Sequence, residues 1–413
     1  MSDRQIHLAL ALDGAGWHPA AWREPDAVPA AELFGAPYWL DQVRRAEAGL
    51  LDFVTVEDGF PLQSEGFAGL DARTDRVRGR LDASLIAARV APATSRIGIV
   101  PTVTTTHTEP FHVSKTIASL DYASTGRAGW RVQVGARGPE AALFGRRDLP
   151  TLTLEDLGTP QGQARIGDLF DEAADHVEAV RRLWDSWEDD AEIRDAATGR
   201  FVDREKLHYI DFSGPEFSVR GPSITPRPPQ GQPLVVALAH QTIPYRFAAR
   251  SADVVFITPQ EVGDIAGIIA EIRAAQAEAG RADERLLIFG EFVVFLDQDP
   301  AAAIARKERL DEAAGESYRS DAPVFAGSPS ALADQLAAWS EAGLDGFRLR
   351  PGAVPHDLNA VTAELVPQLQ ARGLFRREYD ADTLRGLLGF ERPANRYATA
   401  AVTATAITTP TAA

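Results

Sequence analysis

The chain has 413 residues, 45% hydrophobic and 24% charged, enough to bury one large core or two ordinary ones. Its formal net charge of −17 repels a phosphate backbone and argues against a nucleic-acid partner. The absence of cysteine excludes disulfides, a thiol nucleophile and cysteine-ligated metals, and fits a reducing cytoplasm.

The N-terminal run LALAL is too short for a signal peptide, and no stretch is long and apolar enough to span a membrane. Residues 396–413, rich in Ala and Thr, read as a low-complexity, disordered tail, which leaves 1–395 as a single domain.

Gln5–Leu12 alternates as a first strand and runs into DGAGWHP. Gly14 and Gly16 do not make a dinucleotide loop, because the Pro-rich segment behind them opens no helix. The pattern then predicts a helix over Tyr38–Gly49 and a strand over Asp52–Glu57. A helix over Leu81–Val90, a strand over Arg96–Val103 and a helix over Phe111–Ala123 follow. After a Thr-Gly-Arg turn, Trp130, Val132 and Val134 alternate with Arg131 and Gln133 as a fourth strand. Two long irregular stretches, 136–166 and 188–232, flank a helix expected over Asp168–Trp187; such excursions are usually lids or partner surfaces.

Regularity returns with strands Pro233–Ala239, Asp253–Ile257, Arg285–Leu296 and Gly346–Arg350. Helices are expected over Pro244–Ser251, Val262–Ala279, Pro300–Ala314 and Pro329–Ala342, the last capped by Ser328. Helices over Asn359–Arg372 and Asp380–Leu388 end the fold. Eight strand–helix units predict a closed (β/α)8 TIM barrel, with an open doubly wound sheet as the alternative.

Barrel enzymes place their chemistry at the C-terminal strand ends. Those ends carry His18, Glu57, Asp58, Thr102, Thr104, Arg131, Gln133, His240, Gln241 and, from the eighth strand, Arg348 and Arg350. Phe347 and Leu349 would pack on helices and direct both arginines inward. Arginines there could receive an anionic ligand. Alternatively Glu291 pairs with Arg348 or Arg131 as structural ion pairs. His107, Glu109 and His112 lack the spacing of a metal site, and no GxSxG elbow is present, so neither a metal nor a serine hydrolase is expected.

Several long runs match a known family: GAGWHPAAWREP, PTVTTTHTEPFHVSKTIASLDYASTGRAGW, KLHYIDFSGPEFSVRGP, GSPSALADQLAAW and VPQLQARGLFRREY. Through them the chain resembles luciferase-like FMN-dependent monooxygenases, specifically the nitrilotriacetate and dibenzothiophene-sulfone monooxygenase group. The resemblance implies a luciferase-like barrel with insertions after strand 4 and helix 4. It also implies reduced FMN and O2 as co-substrates and a separate NAD(P)H:flavin reductase. A small organic substrate, in a homodimer or homotetramer, completes the expectation.

Carried over residue by residue, Asp58, Thr102 and Thr104 match flavin-lining positions. His18 matches the histidine near the reaction centre, a candidate proton donor. The chain departs from the pattern at Arg131, where Asn is usual, and at Phe170, where Tyr is usual. It departs again at ALAHQTIPYR, which moves the expected phosphate donors to Ala239, His240 and Gln241. Trp17 and Arg350 are the expected substrate contacts. A deazaflavin F420-dependent oxidoreductase and a non-catalytic flavin-binding protein are the alternative readings.

Overall fold

The computed structural model describes residues 5–64, 69–149, 152–153 and 155–398. The tail expected over 396–413 lies outside the described residues from 399 onward.

All eight predicted strands form: β1 (His7–Leu12), β2 (Phe53–Val56), β3 (Gly98–Thr104), β4 (Gly129–Gln133), β5 (Leu234–Leu238), β6 (Val254–Ile257), β7 (Leu287–Leu296) and β8 (Gly346–Pro351). Each pairs in parallel with the next, and β8 closes on β1 with Leu8 opposite Phe347. The ring is closed, so the open-sheet alternative does not hold. A short strand, Val324–Gly327, pairs with the C-terminal half of β7 outside the ring.

The pleat sorts each strand into two faces. Trp130, Val132, Phe347 and Leu349 pack outward against helices. Ala9, Phe53, Val100, Val236, Phe256 and Phe289 fill the lower lumen, where the three phenylalanine rings lie 6.1–6.3 Å apart. Leu384 and Leu388 close the lumen from below. Gly98 and Gly129, the first residues of β3 and β4, leave room for this floor; a Cβ on Gly98 would lie 2.5 Å from the Leu384 side chain.

The outer helices are α1 (Ala36–Ala48), α2 (Ala83–Val90), α3 (Pro110–Ala123), α4 (Gly138–Phe144), α5 (Pro160–Asp185), α6 (Thr242–Ser251), α7 (Val262–Glu278), α8 (Pro300–Ala314) and α9 (Pro329–Glu341). Two expectations need correction. Helix α5 begins at Pro160, because Thr159 caps it by accepting from Gly162 N at 3.1 Å and Pro160 occupies the first turn. This shortens the expected irregular stretch 136–166, which also contains α4. The helix expected over Asp380–Leu388 is the single turn Leu384–Leu387, capped by Thr383. The second stretch, 188–232, carries two small antiparallel hairpins, Glu192–Asp195 with Arg200–Val202 and Phe212–Ser213 with Ser218–Val219. No helix among the described residues is long and apolar enough to cross a membrane.

Candidate active site

Above the phenylalanine layer, the lumen is crossed by a chain of alternating charge. Arg131 on β4 donates from Nε to Thr102 Oγ1 at 2.9 Å and pairs with Glu57 at the end of β2. Glu57 also pairs with Arg348, whose Nε donates to Thr55 Oγ1 at 2.9 Å. Arg348 pairs in turn with Glu291 on β7, and Glu291 with Arg350. Arg350 completes the chain with a bidentate bridge to Asp321 at 2.6 and 3.1 Å. Three guanidiniums thus meet three carboxylates.

Burial pushes the Arg131 and Arg350 pKa values down to about 10, so both stay cationic at neutral pH. Burial alone would raise the Glu57 pKa, but Arg131 and Arg348 overcome it and hold the carboxyl below its ordinary range. The ion-pair reading of Glu291 is the one observed, with Arg348 and Arg350 as partners and not Arg131. Glu57 takes Arg131. The arginines are therefore neutralised within the lumen, which weakens the expectation that they attract an anion.

The first loop lies over this chain. Trp17 N and His18 N donate to Pro351 O and Gly352 O, each at 2.9 Å, tying the loop to the end of β8. Gly16 permits the close approach: its φ is +125°, and a Cβ there would lie 2.5 Å from Gly352 O. The Trp17 ring consequently sits 4.6 Å from the Arg350 guanidinium carbon. The Trp17 indole N–H is buried without an acceptor among the described residues. Trp17 lines a cavity of about 370 Å³ together with Asp13, His18, Val77 and Arg80.

His18 is only 2% exposed, and both ring nitrogens are engaged. Nδ1 accepts from Ala20 N at 3.1 Å, which makes Nε2 the protonated nitrogen; Nε2 donates to Asp311 Oδ1 at 3.0 Å. Burial lowers its pKa, against the opposing pull of Asp311. In this arrangement the ring clasps the first loop to α8 and offers no free proton.

The other expected residues occupy three places. Thr102 and Thr104 line β3 beside Arg131 and Gln133, with Thr102 opposite Arg131 and Thr104 opposite Gln133 in register. Asp58 turns toward its own chain: its oxygens accept from Gly59 N at 2.7 Å and Ala83 N at 2.8 Å, holding the start of α2, and burial raises its pKa. Ala239 is buried and its N–H is spent on Phe256 O. His240 and Gln241 border a groove of about 670 Å³ between the N-terminal ends of α6 and α7. His240 contacts Thr258 Oγ1 at 2.9 Å through Nδ1, and its Nε2 lies 3.5 Å from Asp321, which links this groove to the charge chain.

Phe170 packs against Phe247, 5.6 Å between centroids. Of the residues left out of the expected site, Glu57 and Asp321 prove to be hubs. Glu57 was visible as the acidic end of β2, whereas Asp321 lies in a loop with no periodic signal. His107 stacks on Phe144 at 5.0 Å, and among the described residues no group of three or more acidic or His side chains is placed to hold a metal ion.

A closed barrel with a polar C-terminal mouth is shared by many enzyme families, so similarity decides between them. A family model described as luciferase-like monooxygenase matches residues 17–318. The chain belongs to the luciferase-like monooxygenase family. It is 31% identical over 457 aligned positions to N-acetyl-S-(2-succino)cysteine monooxygenase of Bacillus subtilis (strain 168), covering 96% of this chain and 99% of that one. It is 30% identical over 469 positions to nitrilotriacetate monooxygenase component A of Aminobacter aminovorans, with the same coverages. A riboflavin lyase solved with modified FMN and riboflavin superposes with a TM-score of 0.80 at 25% identity, covering 95% of this chain and 98% of that one. The expectation of an enzyme of the luciferase-like monooxygenase class is met. The matched span ends before β8, so Arg348 and Arg350 lie beyond it.

Proposed function

We propose that the chain is the oxygenating component of a two-component monooxygenase that uses reduced FMN and O2 on a small sulfur- or nitrogen-containing organic molecule. The observation that carries this reading is the mouth itself. A charge-balanced Arg131–Glu57–Arg348–Glu291–Arg350–Asp321 chain underlies an indole N–H with no acceptor, beside an open groove at the ends of β5 and β6. A flat, polar-edged ring and a phosphate fit that donor set: one orphaned donor, the lumen hydroxyls of Thr102 and Thr104, and the N-terminal end of α6.

The relatives support the components. One is named component A, and the two at 31% and 30% identity are named for a sulfur compound and a nitrogen compound. Supply of the reduced flavin by a separate NAD(P)H:flavin reductase, in the cytoplasm, completes the proposal.

When bound, reduced FMN supplies the electrons with which O2 is activated for transfer of one oxygen atom. The chain's own residues then have distinct tasks. Arg131, fixed by Glu57 and Thr102, holds a cation at the lumen wall without reorganising. His240, Gln241 and the first amides of α6 would hold the phosphate. Trp17, stacked on Arg350, orients the substrate and helps exclude water. Asp58 holds the loop that leads into α2. His18, whose nitrogens are engaged, takes a positioning role in place of the expected proton donation.

The test is a pair of measurements on the purified chain. Titration with FMN, reduced FMN and deazaflavin F420 should show binding of the FMN forms, and binding of F420 alone would overturn the reading. NADH, a flavin reductase and FMN with a panel of sulfones, thioethers and aminocarboxylates should give oxygenated product only when the chain is present. Tight FMN binding with no product across the panel would instead favour a flavin-binding protein.

A further inference from the structure

The closed end of the barrel, opposite the mouth, carries a second cavity. Gln232 and Asp253 stand just before β5 and β6, and Arg385 belongs to the floor turn. With the C-terminal end of α5 and the segment 393–396 they line a space of about 420 Å³. Five arginines and four carboxylates face it. That is a cationic surplus on a chain whose net charge is −17.

Ion pairs account for most of these charges. Arg181 pairs with Asp253 at 2.8 Å, Arg281 with Glu284 at 2.7 Å, and Arg396 with Glu178 at 2.9 Å and Asp185 at 3.2 Å. Arg250, half-exposed, reaches Asp175 outside the cavity at 3.0 Å. Arg385 is the surplus: it is 8% exposed and makes no ion pair among the described residues. Its Nε donates to Glu391 O at 2.9 Å, its Nη1 to Gln232 O at 3.0 Å, and its guanidinium carbon lies 5.2 Å from the Phe390 ring centroid. These contacts fix the fork and leave Nη2 with no acceptor among the described residues. Burial lowers the Arg385 pKa; Asp253 opposes the shift and Arg181 adds to it. A buried cation with a fixed and uncommitted donor is preorganised for an anion.

Gln232 adds selectivity. It is 5% exposed, and its Nε2 donates to Arg181 O at 3.0 Å. Its Oε1 is buried with no donor among the described residues. An amide oxygen in that state carries a penalty that a ligand O–H can remove. A guanidinium beside an unfilled acceptor suits an anion that keeps a hydroxyl, such as hydrogenphosphate or a hydroxycarboxylate, over sulfate or acetate.

We propose that this cavity binds a small oxyanion bearing a hydroxyl group, with Arg385 holding the charge and Gln232 Oε1 accepting the hydroxyl's hydrogen bond. The occupant would join α5, the floor turn and the segment 393–396. This inference is independent of the proposed reaction.

Calorimetric titration and melting curves of the full chain in chloride buffer test it, with inorganic phosphate, sulfate, glycolate and acetate as probes. At least one of phosphate and glycolate should saturate a single site and raise the melting temperature. The tighter of the two tells a phosphate source from a hydroxy-acid source. It should bind at least about tenfold more tightly than its counterpart without the hydroxyl, because a bare oxygen against Gln232 Oε1 forfeits a hydrogen bond. Arg385→Gln should weaken binding by about tenfold or more. Should that variant fail to fold by circular dichroism, two others address the same cavity. Gln232→Met should erase the preference for the hydroxylated anion, and Arg250→Glu, at a half-exposed position, should weaken binding by adding like charge. A wild type that binds neither hydroxylated anion overturns the proposal. So does equal affinity for the anions with and without the hydroxyl, or an affinity that the variants leave unchanged. An anion that FMN displaces belongs to the mouth and overturns it as well.

Discussion

His176 on α5 lies 5.7 Å from the Trp130 ring and 6.1 Å from the Phe217 ring, with its Nε2 buried and without a partner among the described residues. Burial pushes its pKa down from 6.5 to about 3. The unfolded chain therefore binds a proton here that the folded chain refuses, so stability rises with pH across that window. The contribution is fully present above pH 6.5 and is lost as the pH falls toward 3. Denaturant melts at a series of pH values should show a slope of up to roughly 1.4 kcal/mol per pH unit from this site. His176→Phe should remove that share of the acid sensitivity.

Glu291 is the residue on which two buried arginines depend. Glu291→Ala should cost roughly 3–5 kcal/mol in a urea melt, because Arg348 loses one of its two carboxylates and Arg350 one of its two. Strand alternation was enough to turn Arg131, Arg348 and Arg350 into the lumen. It could not show that Glu57 serves both Arg131 and Arg348. Those partners lie 74 and 291 positions away and meet only when the ring closes. Asp321 had no legible signal, since its role depends on where a loop falls.

At the level of elements, every barrel strand was readable as a short, mostly apolar run, because its outer face is buried under helices and its inner face in the lumen. The failures have local causes. The start of α5 was missed because Gly162 and Gly167 dilute its helical pattern, although Thr159-Pro160 is a good start signal. The strand Val324–Gly327 was missed because its four residues carry too little periodicity, and only the projecting end of β7 makes it a strand. The terminal turn at Leu384 is defined by what it plugs. Leu384→Ala should destabilise the fold by roughly 2–5 kcal/mol in equilibrium unfolding, since the cavity would open beneath β3 and β4 where glycines cannot fill it.

Across the whole molecule, buried Arg227 and Gln230 are among the side chains that tie the segment 188–232 to the barrel, Gln230 through Asp121 and Ala128 O. Arg227 donates to Asp185 Oδ1 at 2.9 Å, to Asp189 at 2.9 and 3.1 Å, and to Pro393 O at 2.8 Å. It joins the hairpin segment, the end of α5 and the C-terminal residues. Arg227→Ala leaves Asp185 with Arg396 and Asp189 with Arg392, so the barrel should survive. Limited proteolysis should then cut within 188–232 faster than in the wild type, while the barrel fragment stays intact.

The floor of the barrel has a bearing on synthesis. A ribosome completes all eight strands at Pro351 but delivers Leu384 and Leu388 only later. At about 5–20 residues per second, the nascent ring would wait roughly two to seven seconds with Phe53, Phe256 and Phe289 open to water from beneath. A chain cut short after β8 would keep that wound permanently, a natural foothold for chaperones and for aggregation.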